Sequence, residues 1–345
     1  MDAAIIGFGT VGRAFARKAA EKAQSLKGRH SLDLRIIGVY DPKFGSAFDP
    51  SGLNPMELLR ALEAGGRLSE CGRGDRGLTG LDMIRSPDVD LVIELTHTDL
   101  RRGEPGLTHL REALGLGKDV ITTNKGPLAL AYWELRDLAE RKGAFLGFEG
   151  TVLSGTPAIN LAQLCIEPAE VVSLEGVLNG TTNFILSSME AGESFEEALS
   201  SAIRMGFAEA DPSNDIDGLD AAAKVTILAN SVMGGRLRFE DVEVSGIRGI
   251  GKGDVSRSLS NGKRIKLLAR AWRDGAAIRA WVGPAEIDQS NPLARAEGIT
   301  NALTYHLDVG YSVTIMGPGA GGDSAAMAVM SDLIRLAHFR RANPR

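Results

Sequence analysis

The chain contains little cysteine, with only Cys71 and Cys165 among its 345 residues. Two thiols cannot build a disulfide framework, and the five histidines stand apart without the spacing of metal ligands. We therefore expect a reducing compartment, the cytoplasm, and no four-ligand zinc site.

Long apolar runs and an excess of basic charge are also missing. No run approaches the roughly 18–20 apolar residues of a membrane span, and the N-terminus lacks the basic start of a signal peptide. The chain has 39 basic and 44 acidic residues, a net charge of −5, whereas nucleic-acid-binding domains are usually basic. We expect neither a membrane nor a nucleic acid as partner. The length favours two domains.

The first half alternates short apolar runs with longer helical patterns. Strands are predicted at Ala3–Ile6, Leu34–Tyr40, Val89–Leu95, Asp119–Thr122 and Ala144–Phe148, and helices at Val11–Leu26, Pro55–Ala64, Glu104–Leu114 and Leu128–Arg141. Because the strand patterns are continuously apolar, they predict a parallel sheet covered on both faces. Segments rich in turn residues predict an exposed loop between Pro42 and Asn54 and a flexible connection at Gly65–Gly80.

The pattern changes after about Thr151. Strands are predicted at Val171–Leu178, Arg264–Trp272, Ala276–Val282, Ala302–Leu307 and Tyr311–Ile315, with helices at Thr182–Ala191, Phe195–Met205 and Leu219–Val232. A glycine-rich loop, Gly317–Gly322, leads into a last helix at Ser324–Ala337. The fold class expected is α/β, with an N-terminal Rossmann-type parallel sheet and a second α+β domain built on a mixed sheet.

One glycine-rich turn follows the first strand and opens the first helix: Gly7-Phe8-Gly9-Thr10-Val11-Gly12. It fits G-x-G-x-x-G, in which the first glycine permits the turn, the second lets a pyrophosphate approach and the third allows close packing. The following helix N-terminus favours phosphate. Asp41, which ends the second strand, can accept from ribose hydroxyls and so favour NAD, or it can simply open a turn. Lys43 could instead meet the 2′-phosphate of NADP.

Two features after parallel strands are expected at the ligand-binding edge of the sheet. Lys125 follows the strand Asp119–Thr122, and Thr96 follows the third strand and should lie beside the cofactor. A surface lysine at a helix start is the simpler interpretation of Lys125. A positive charge is disfavoured at that position, however, so we favour a functional role. The neighbouring His97 is interpreted as a solvated histidine.

Asp220 and Lys224 are four residues apart, on one face of a predicted helix. An exposed pair at this spacing contributes only a few tenths of a kcal/mol. The helix is largely apolar around Lys224, however, and a partly buried lysine beside a carboxylate is suited to proton transfer. Carboxylates of the preceding acidic loop could hold a substrate amine. The turn at Gly180 and Thr181 could hold a substrate carboxylate on its N–H groups or merely cap a helix.

Taken together, these motifs resemble homoserine dehydrogenase over nearly the whole chain. The matching segments, in the expected order, are Gly7–Gly12, Thr123–Lys125, Glu149–Pro157, Leu178–Leu186, Gly206–Lys224 and Gly317–Gly322. The most specific is Gly206–Lys224. The resemblance implies conversion of L-homoserine to L-aspartate 4-semialdehyde with NAD or NADP, or the reverse, in threonine and methionine biosynthesis. It also implies a homodimer, and a short form without a C-terminal regulatory domain.

The resemblance further implies roles for individual positions. The catalytic residues would be Lys125, Lys224 and Asp220, and the substrate would be bound by Glu209, Asp215, Gly180 and Thr181. The cofactor would be bound by Gly7–Gly12, Asp41, Thr96, Lys125 and Gly319. A Na⁺ or K⁺ ion would be held by Glu149, Val152, Ser154 and Thr156. A dinucleotide-binding domain would span residues 1–148, completed by 317–345. A substrate-binding and dimerisation domain would span 149–316.

Three competing functions remain open at this point. A thiol-acylating aldehyde dehydrogenase would need an activated cysteine, and neither Cys71 nor Cys165 lies in a supporting motif. A non-catalytic NAD(P)-dependent sensor would need no lysine–carboxylate group. A related dehydrogenase acting on another small amino alcohol would share every motif named above.

Overall fold

The computed structural model describes residues 1–71 and 77–344, and the chain divides into two compact units. The first unit combines Met1–Gly155 with Gly321–Arg345, and the second is Thr156–Ala320. The described part of each unit contains one six-stranded sheet. In the described ranges, no helix combines the length and the apolar character needed to cross a lipid bilayer.

The first sheet is parallel apart from one edge strand. Its strands are β1 (Asp2–Ile6), β2 (Arg35–Asp41), β3 (Gly45–Phe48), β4 (Leu91–Glu94), β5 (Asp119–Thr122) and β6 (Leu146–Gly147). The spatial order is β3-β2-β1-β4-β5-β6, and only β3 runs antiparallel, beside β2. The predicted parallel sheet is confirmed. Its strand order reverses at β1, so the carboxyl ends of β1 and β4 form the crevice where such sheets bind ligands.

In the described residues before Gly155, five α-helices of more than one turn accompany this sheet. They are α1 (Thr10–His30), α2 (Pro55–Glu63), α3 (Gly80–Arg85), α4 (Gly106–Gly115) and α5 (Lys125–Lys142). The short helix α3 is not evident from the sequence, and α5 begins three residues before its predicted start. Ile5, Ile93 and Ile121 of neighbouring strands are fully buried in one core with Phe15 of α1.

The prediction of an exposed loop between Pro42 and Asn54 is wrong. The segment contains β3, whose residues Ala47 and Phe48 are buried. Gly45, with φ of +85°, allows a tight hairpin with β2, and Phe48 packs close to Gly38. The turn residues here belong to a hairpin. Two apolar residues, Ala47 and Phe48, are too short a run to predict a strand from the sequence.

The flexible connection expected at Gly65–Gly80 is only partly described. Its residues 72–76 lie outside the described ranges. Within the described part, Leu68–Glu70 forms a 3-10 turn, and Leu68 is completely buried in the core of the first unit. The expectation of a flexible segment is therefore wrong for the region around Leu68.

The second sheet is mixed, as predicted. Its strands are β7 (Val171–Val177), β8 (Glu243–Val244), β9 (Lys263–Asp274), β10 (Ala277–Asp288), β11 (Thr300–Leu307) and β12 (Ser312–Pro318). The order is β12-β11-β7-β9-β10-β8, with antiparallel pairing except between β8 and β10. Gly317 and Pro318 end β12, so the glycine-rich segment predicted as a loop is partly strand.

The helices of the second unit pack mainly around β9 and β10. They are α6 (Ala158–Asn160, continued by a π-helical turn at Leu161–Cys165), α7 (Gly180–Glu190), α8 (Phe195–Arg204), α9 (Ser213–Ile216), α10 (Leu219–Ser231) and α11 (Lys252–Ser260). Every residue of α10 from Asp220 to Asn230 is buried. The apolar sequence of this helix explains its central position, and it carries a lysine and a carboxylate into that interior.

The last helix returns the chain to the first unit. This helix, α12 (Gly322–Ala342), packs along α1. A Cβ added to Gly322 would lie 2.8 Å from Cγ2 of Thr10, so the two helices start in close contact. Leu333 and Leu336 of α12 join the same core as Phe15.

Candidate active site

The glycine turn after β1 has the geometry that a dinucleotide requires. Gly7 has φ of +99°, and a Cβ there would lie 2.5 Å from the carbonyl carbon of Leu95. A Cβ on Gly12 would overlap the carbonyl oxygen of Gly7. A Cβ on Gly9, in contrast, would have no atom within 4 Å among the described residues. The first and third glycines are thus required for packing, and the second leaves open the space where a pyrophosphate is expected.

Asp41 ties this turn to the β2–β3 hairpin. Its Oδ2 accepts from the backbone N–H of Phe8 at 2.9 Å, and its Oδ1 accepts from that of Lys43 at 2.8 Å. The turn-forming interpretation of Asp41 therefore describes contacts that exist, while its role toward a ribose stays a prediction. Two cationic side chains lie near the ring of Phe44 in this hairpin. Lys43 Nζ is 5.3 Å and Arg13 Cζ is 5.8 Å from the ring centroid.

A buried carboxylate organises the ends of β4 and β5. Glu94 is completely buried, and it accepts from the backbone N–H of Thr96 at 3.1 Å and from the hydroxyl of Thr122 at 3.1 Å. The side chain of Asn124 donates to the Thr96 hydroxyl at 3.3 Å and caps α5. Lys125 is the first residue of that helix. Glu94 therefore positions Thr96 and, through Asn124, the start of the helix that carries Lys125.

This role of Glu94 is not evident from the sequence, where the only signal is an acidic residue at the end of an apolar strand. His97, which follows Thr96, is exposed, as expected for a solvated histidine. Its backbone carbonyl accepts from Asn124 Nδ2 at 3.1 Å. The histidine therefore takes part in the network through its main chain.

Lys224 and Asp220 form a buried ion pair in the second unit. Lys224 Nζ lies 2.7 Å from Asp220 Oδ2, and the exposed fractions of the two side chains are 8% and 10%. Lys224 also donates to the carbonyl oxygen of Leu178, the residue after β7, at 2.6 Å. The interpretation as an ordinary exposed pair is therefore excluded. Removing one partner of a buried ion pair strongly lowers the stability of the folded protein, because the other charge stays buried without compensation.

Asn179 links this pair to a second carboxylate. Its Nδ2 donates to Asp220 Oδ2 at 2.9 Å and to Asp215 Oδ1 at 2.6 Å, while its Oδ1 accepts from the N–H of Thr182 and caps α7. Burial raises the pKa of the Asp215 carboxyl, and the nearby charge of Asp220 raises it further. The start of α7 and two carboxylates thus meet at one buried polar site.

The other residues expected to bind substrate have different surroundings. Thr181, at the second position of α7, donates from its hydroxyl to the carbonyl of Phe207 at 2.7 Å. Glu209 lies two residues further on and is exposed. The structure therefore brings Asp215 and the start of α7 together with Lys224, while the carboxylate of Glu209 stays in solvent.

The expected cation ligands lie on the segment that ends the first unit and begins the second. Glu149 is buried, and its N–H donates to Asp332 Oδ2 at 2.9 Å. Leu153 and Ser154 both have φ of +51°, and the buried hydroxyl of Ser154 has no hydrogen-bond partner among the described residues. Within the same residues, no group of three or more His, Cys, Asp or Glu side chains could hold a metal ion.

The two units together define an NAD(P)-dependent oxidoreductase with a Rossmann-type unit and a second, mixed-sheet unit. Two family models match the chain: "Homoserine dehydrogenase, NAD binding domain" over residues 7–149 and "Homoserine dehydrogenase" over residues 157–334. The chain therefore belongs to the homoserine dehydrogenase family.

Individual relatives agree with this membership. An NAD(+)-dependent homoserine dehydrogenase of Pseudomonas canavaninivorans is 38% identical over 334 residues, covering 96% of this chain and 95% of the relative. A homoserine dehydrogenase crystal structure from Thiobacillus denitrificans has a TM-score of 0.86 at 31% identity and covers all of this chain and 75% of its own. A hyperthermophilic archaeal homoserine dehydrogenase in complex with NADPH has a TM-score of 0.81 at 30% identity, covering 97% and 96%.

Proposed function

We propose that the chain oxidises L-homoserine to L-aspartate 4-semialdehyde with NAD⁺ or NADP⁺, or runs the reverse reaction, in threonine and methionine biosynthesis. The buried Lys224–Asp220 pair is the observation that carries this proposal, because it lies at the end of the Gly206–Lys224 segment that distinguishes the family from other dinucleotide-binding proteins. Membership of the homoserine dehydrogenase family supports the same assignment.

The first unit is proposed to hold the dinucleotide. When bound, the nicotinamide accepts or delivers a hydride at its C4. The open space above Gly9 fits the pyrophosphate, and the N-terminus of α1 supplies N–H groups and a partial positive charge. The Glu94 network orients Thr96 and Lys125 at the strand ends. Gly319 is proposed as a further cofactor contact on the resemblance to the family.

The second unit is proposed to hold the substrate and one proton. Asp220 stabilises the charged form of Lys224, so this lysine holds a proton at Nζ that it can donate to a developing alkoxide. In the oxidative direction, the lysine acts in its neutral form, and Nζ accepts the hydroxyl proton. Lys125 is the alternative proton donor and oxyanion-binding group. Both lysines therefore remain in the catalytic assignment.

The amino-acid end of the substrate has two complementary partners in the second unit. Asp215, together with Glu209, is proposed to bind the α-ammonium. Gly180 and Thr181 begin α7, an 11-residue helix without an acidic residue in its first turn, and their N–H groups suit the α-carboxylate.

We favour NAD⁺ over NADP⁺ as the preferred cofactor. A carboxylate at the end of the second strand repels a 2′-phosphate, and Asp41 occupies that position. The Pseudomonas relative is named as NAD(+)-dependent, which supports this choice. Lys43 and Arg13, the two cations beside Phe44, would reduce the preference for NAD⁺ over NADP⁺, since either could approach a 2′-phosphate.

A Na⁺ or K⁺ site at Glu149, Val152, Ser154 and Thr156 is also proposed. The hydroxyl of Ser154 supports it, because this oxygen is buried and has no hydrogen-bond partner among the described residues. Glu149→Gln should weaken any activation by K⁺ or Na⁺. Activity independent of both ions in the parent enzyme would contradict the proposal.

The second unit is proposed to form a homodimer through one face of its sheet. Register places Glu175, Arg270, Trp272, Trp281 and His306 on the same face of the central strands. These side chains are half-buried or exposed, and Trp272 is 38% exposed. Aromatic residues and arginine are typical of protein interfaces.

Steady-state reduction of NAD⁺ and NADP⁺ with L-homoserine tests the function. We expect turnover with both cofactors, a higher kcat/KM with NAD⁺, and a loss of kcat in Lys224→Ala with unchanged cofactor affinity. Turnover only with another amino alcohol would identify a related dehydrogenase. Cofactor binding without turnover of any amino alcohol would identify a sensor. Loss of activity on replacing both cysteines would indicate thiol chemistry instead.

A further inference from the structure

A buried carboxamide in the second unit has neither of its hydrogen-bonding ends satisfied. Asn301 on β11 has no accessible surface, and neither Oδ1 nor Nδ2 has a partner among the described residues. Three other buried asparagines of this unit have both ends of their carboxamides bonded: Asn179, Asn183 and Asn230. Leaving an amide unpaired in the interior costs stability, so a purely structural site would favour an apolar side chain.

Asn301 lies beside the start of α7. Its neighbour Ala302 pairs with Val177, the last residue of β7, which places Asn301 at the level where the chain leaves that strand for Asn179. A Cβ added to Gly180 would lie 3.5 Å from Asn301 Oδ1. The unpaired amide is therefore next to the helix N-terminus that favours an anionic group.

The cover over this amide is a glycine backbone. A Cβ added to Gly319 would overlap the carboxamide carbon, nitrogen and oxygen of Asn301, so only glycine can lie this close to it. Gly319 belongs to the segment from Gly317 to Gly322, in which four of six residues are glycine. Gly319 follows the last residue of β12, and glycine adopts a wider range of backbone conformations than other residues, so Gly319 is the part of the cover that moves to expose the amide to a ligand.

We propose that Asn301 is a substrate-binding residue whose Nδ2 donates to the α-carboxylate of the amino-acid substrate, beside the N-terminus of α7. The inference rests on the proposed function, which supplies an α-amino acid as substrate. The amide is the right partner because an N–H donor adds to the N–H groups of Gly180 and Thr181 without adding charge beside Lys224.

The test uses Asn301→Ala with two competitive inhibitors of L-homoserine oxidation. L-2-aminobutyrate has the amino-acid end, and 3-amino-1-propanol lacks the carboxylate. We expect the homoserine KM and the inhibition constant of L-2-aminobutyrate to rise at least tenfold, equivalent to about 1.4 kcal/mol. The inhibition constant of 3-amino-1-propanol and the Kd for reduced cofactor should stay within about twofold of the parent values.

Two further variants separate binding from folding. Asn301→Asp keeps the planar shape and places a negative charge where the substrate carboxylate is expected, so the homoserine KM should rise more than in the alanine variant. Asn230→Ala removes a fully bonded amide from the far end of α10. It should lower Tm and leave the homoserine KM unchanged, whereas Asn301→Ala should raise the homoserine KM without lowering Tm, because it removes an unpaired amide.

An unchanged homoserine KM in both Asn301 variants would overturn the proposal. An equal rise for both inhibitors, or a rise in the cofactor Kd instead, would also overturn it, the latter in favour of a role toward the nicotinamide. Homoserine turnover by the parent enzyme is measured before any variant is compared. Its absence would refute the proposed function itself.

Discussion

Lys224 Nζ lies 2.7 Å from Asp220 Oδ2, one turn away on a helix that is buried along almost its whole length. A second i,i+4 pair, Arg136 with Glu140, has a similar separation of 2.9 Å but lies on an exposed face of α5. The same spacing in the sequence thus yields two pairs whose energies are expected to differ, because only the first is removed from water.

Removing one carboxylate charge from each pair tests that difference. Asp220→Asn should lower the free energy of unfolding by about 3–5 kcal/mol, because it leaves the charge of Lys224 buried without its partner. Glu140→Gln, the matched exposed change, should alter it by less than about 0.5 kcal/mol. Urea denaturation of the three proteins gives both values. Equal effects of the two substitutions would show that Lys224 is solvated.

The first two glycines of the dinucleotide turn, Gly7 and Gly9, should differ in how much stability they lose on replacement by alanine. Gly7→Ala should lower the free energy of unfolding by more than about 1 kcal/mol, since φ is +99° and the Leu95 carbonyl carbon lies 2.5 Å from the new Cβ. Gly9→Ala should alter it by less than about 0.5 kcal/mol, because the Cβ meets no described atom within 4 Å.

Cofactor affinity gives a second test of Gly9. The new methyl group of Gly9→Ala would occupy the proposed pyrophosphate position, so the Kd for reduced cofactor, measured by fluorescence, should rise at least tenfold. A Gly9→Ala variant that binds cofactor as tightly as the parent would contradict the assignment of this turn.

A buried lysine makes stability depend on alkaline pH. Lys266 is fully buried, and desolvation lowers its pKa to about 8 from 10.5, opposed by the charge of Glu190 and assisted by that of Arg264. Between these pH values the unfolded chain binds a proton that the folded chain has released. The Lys266 contribution to the free energy of unfolding therefore rises with pH, by up to about 3 kcal/mol.

Lys266→Met should remove this pH dependence. The free energy of unfolding of the parent minus that of the variant should increase between about pH 8 and 10.5, whatever its value at pH 7. The Met variant also loses the bonds from Nζ to Asn183 Oδ1 at 2.9 Å and to the Ala296 carbonyl at 2.6 Å, a change independent of pH. A constant difference across this range would show that Lys266 titrates normally.

The proposed dimer face gives a further test. Trp272→Asp places a charge on the exposed part of the sheet face that also carries Trp281 and Arg270. Sedimentation should show a dimer for the parent and a shift toward monomer for the variant. Glu286→Gln serves as a control, because Glu286 is exposed on the opposite face of the neighbouring strand β10, and it should leave the dimer unchanged. A monomeric parent would contradict the proposal.

Much of the fold is predictable because its signals are local. Continuous apolar runs predict the parallel strands, and the apolar neighbours of Lys224 predict that the helix is buried. The strand β3 is not predictable this way, since its short apolar pair, Ala47 and Phe48, is enclosed by turn residues and is fixed by pairing with β2.

The polar contacts of the site are less predictable from sequence. Asn179 and Asp220 are 41 positions apart, and Glu94 and Thr122 are 28 apart, so their hydrogen bonds exist only once the units have folded. The unpaired amide of Asn301 has no sequence signal, because a lone asparagine at a strand start usually indicates a turn.

Hydride transfer from the terminal carbon of homoserine is the central claim, and isotope labelling tests it most directly. L-homoserine carrying two deuterium atoms at C4 would be oxidised with NAD⁺, and the reduced cofactor would be analysed by mass spectrometry and NMR. The account predicts one deuterium at C4 of the nicotinamide and one retained in the aldehyde product. Reduced cofactor without deuterium, or no reduced cofactor at all, would contradict it.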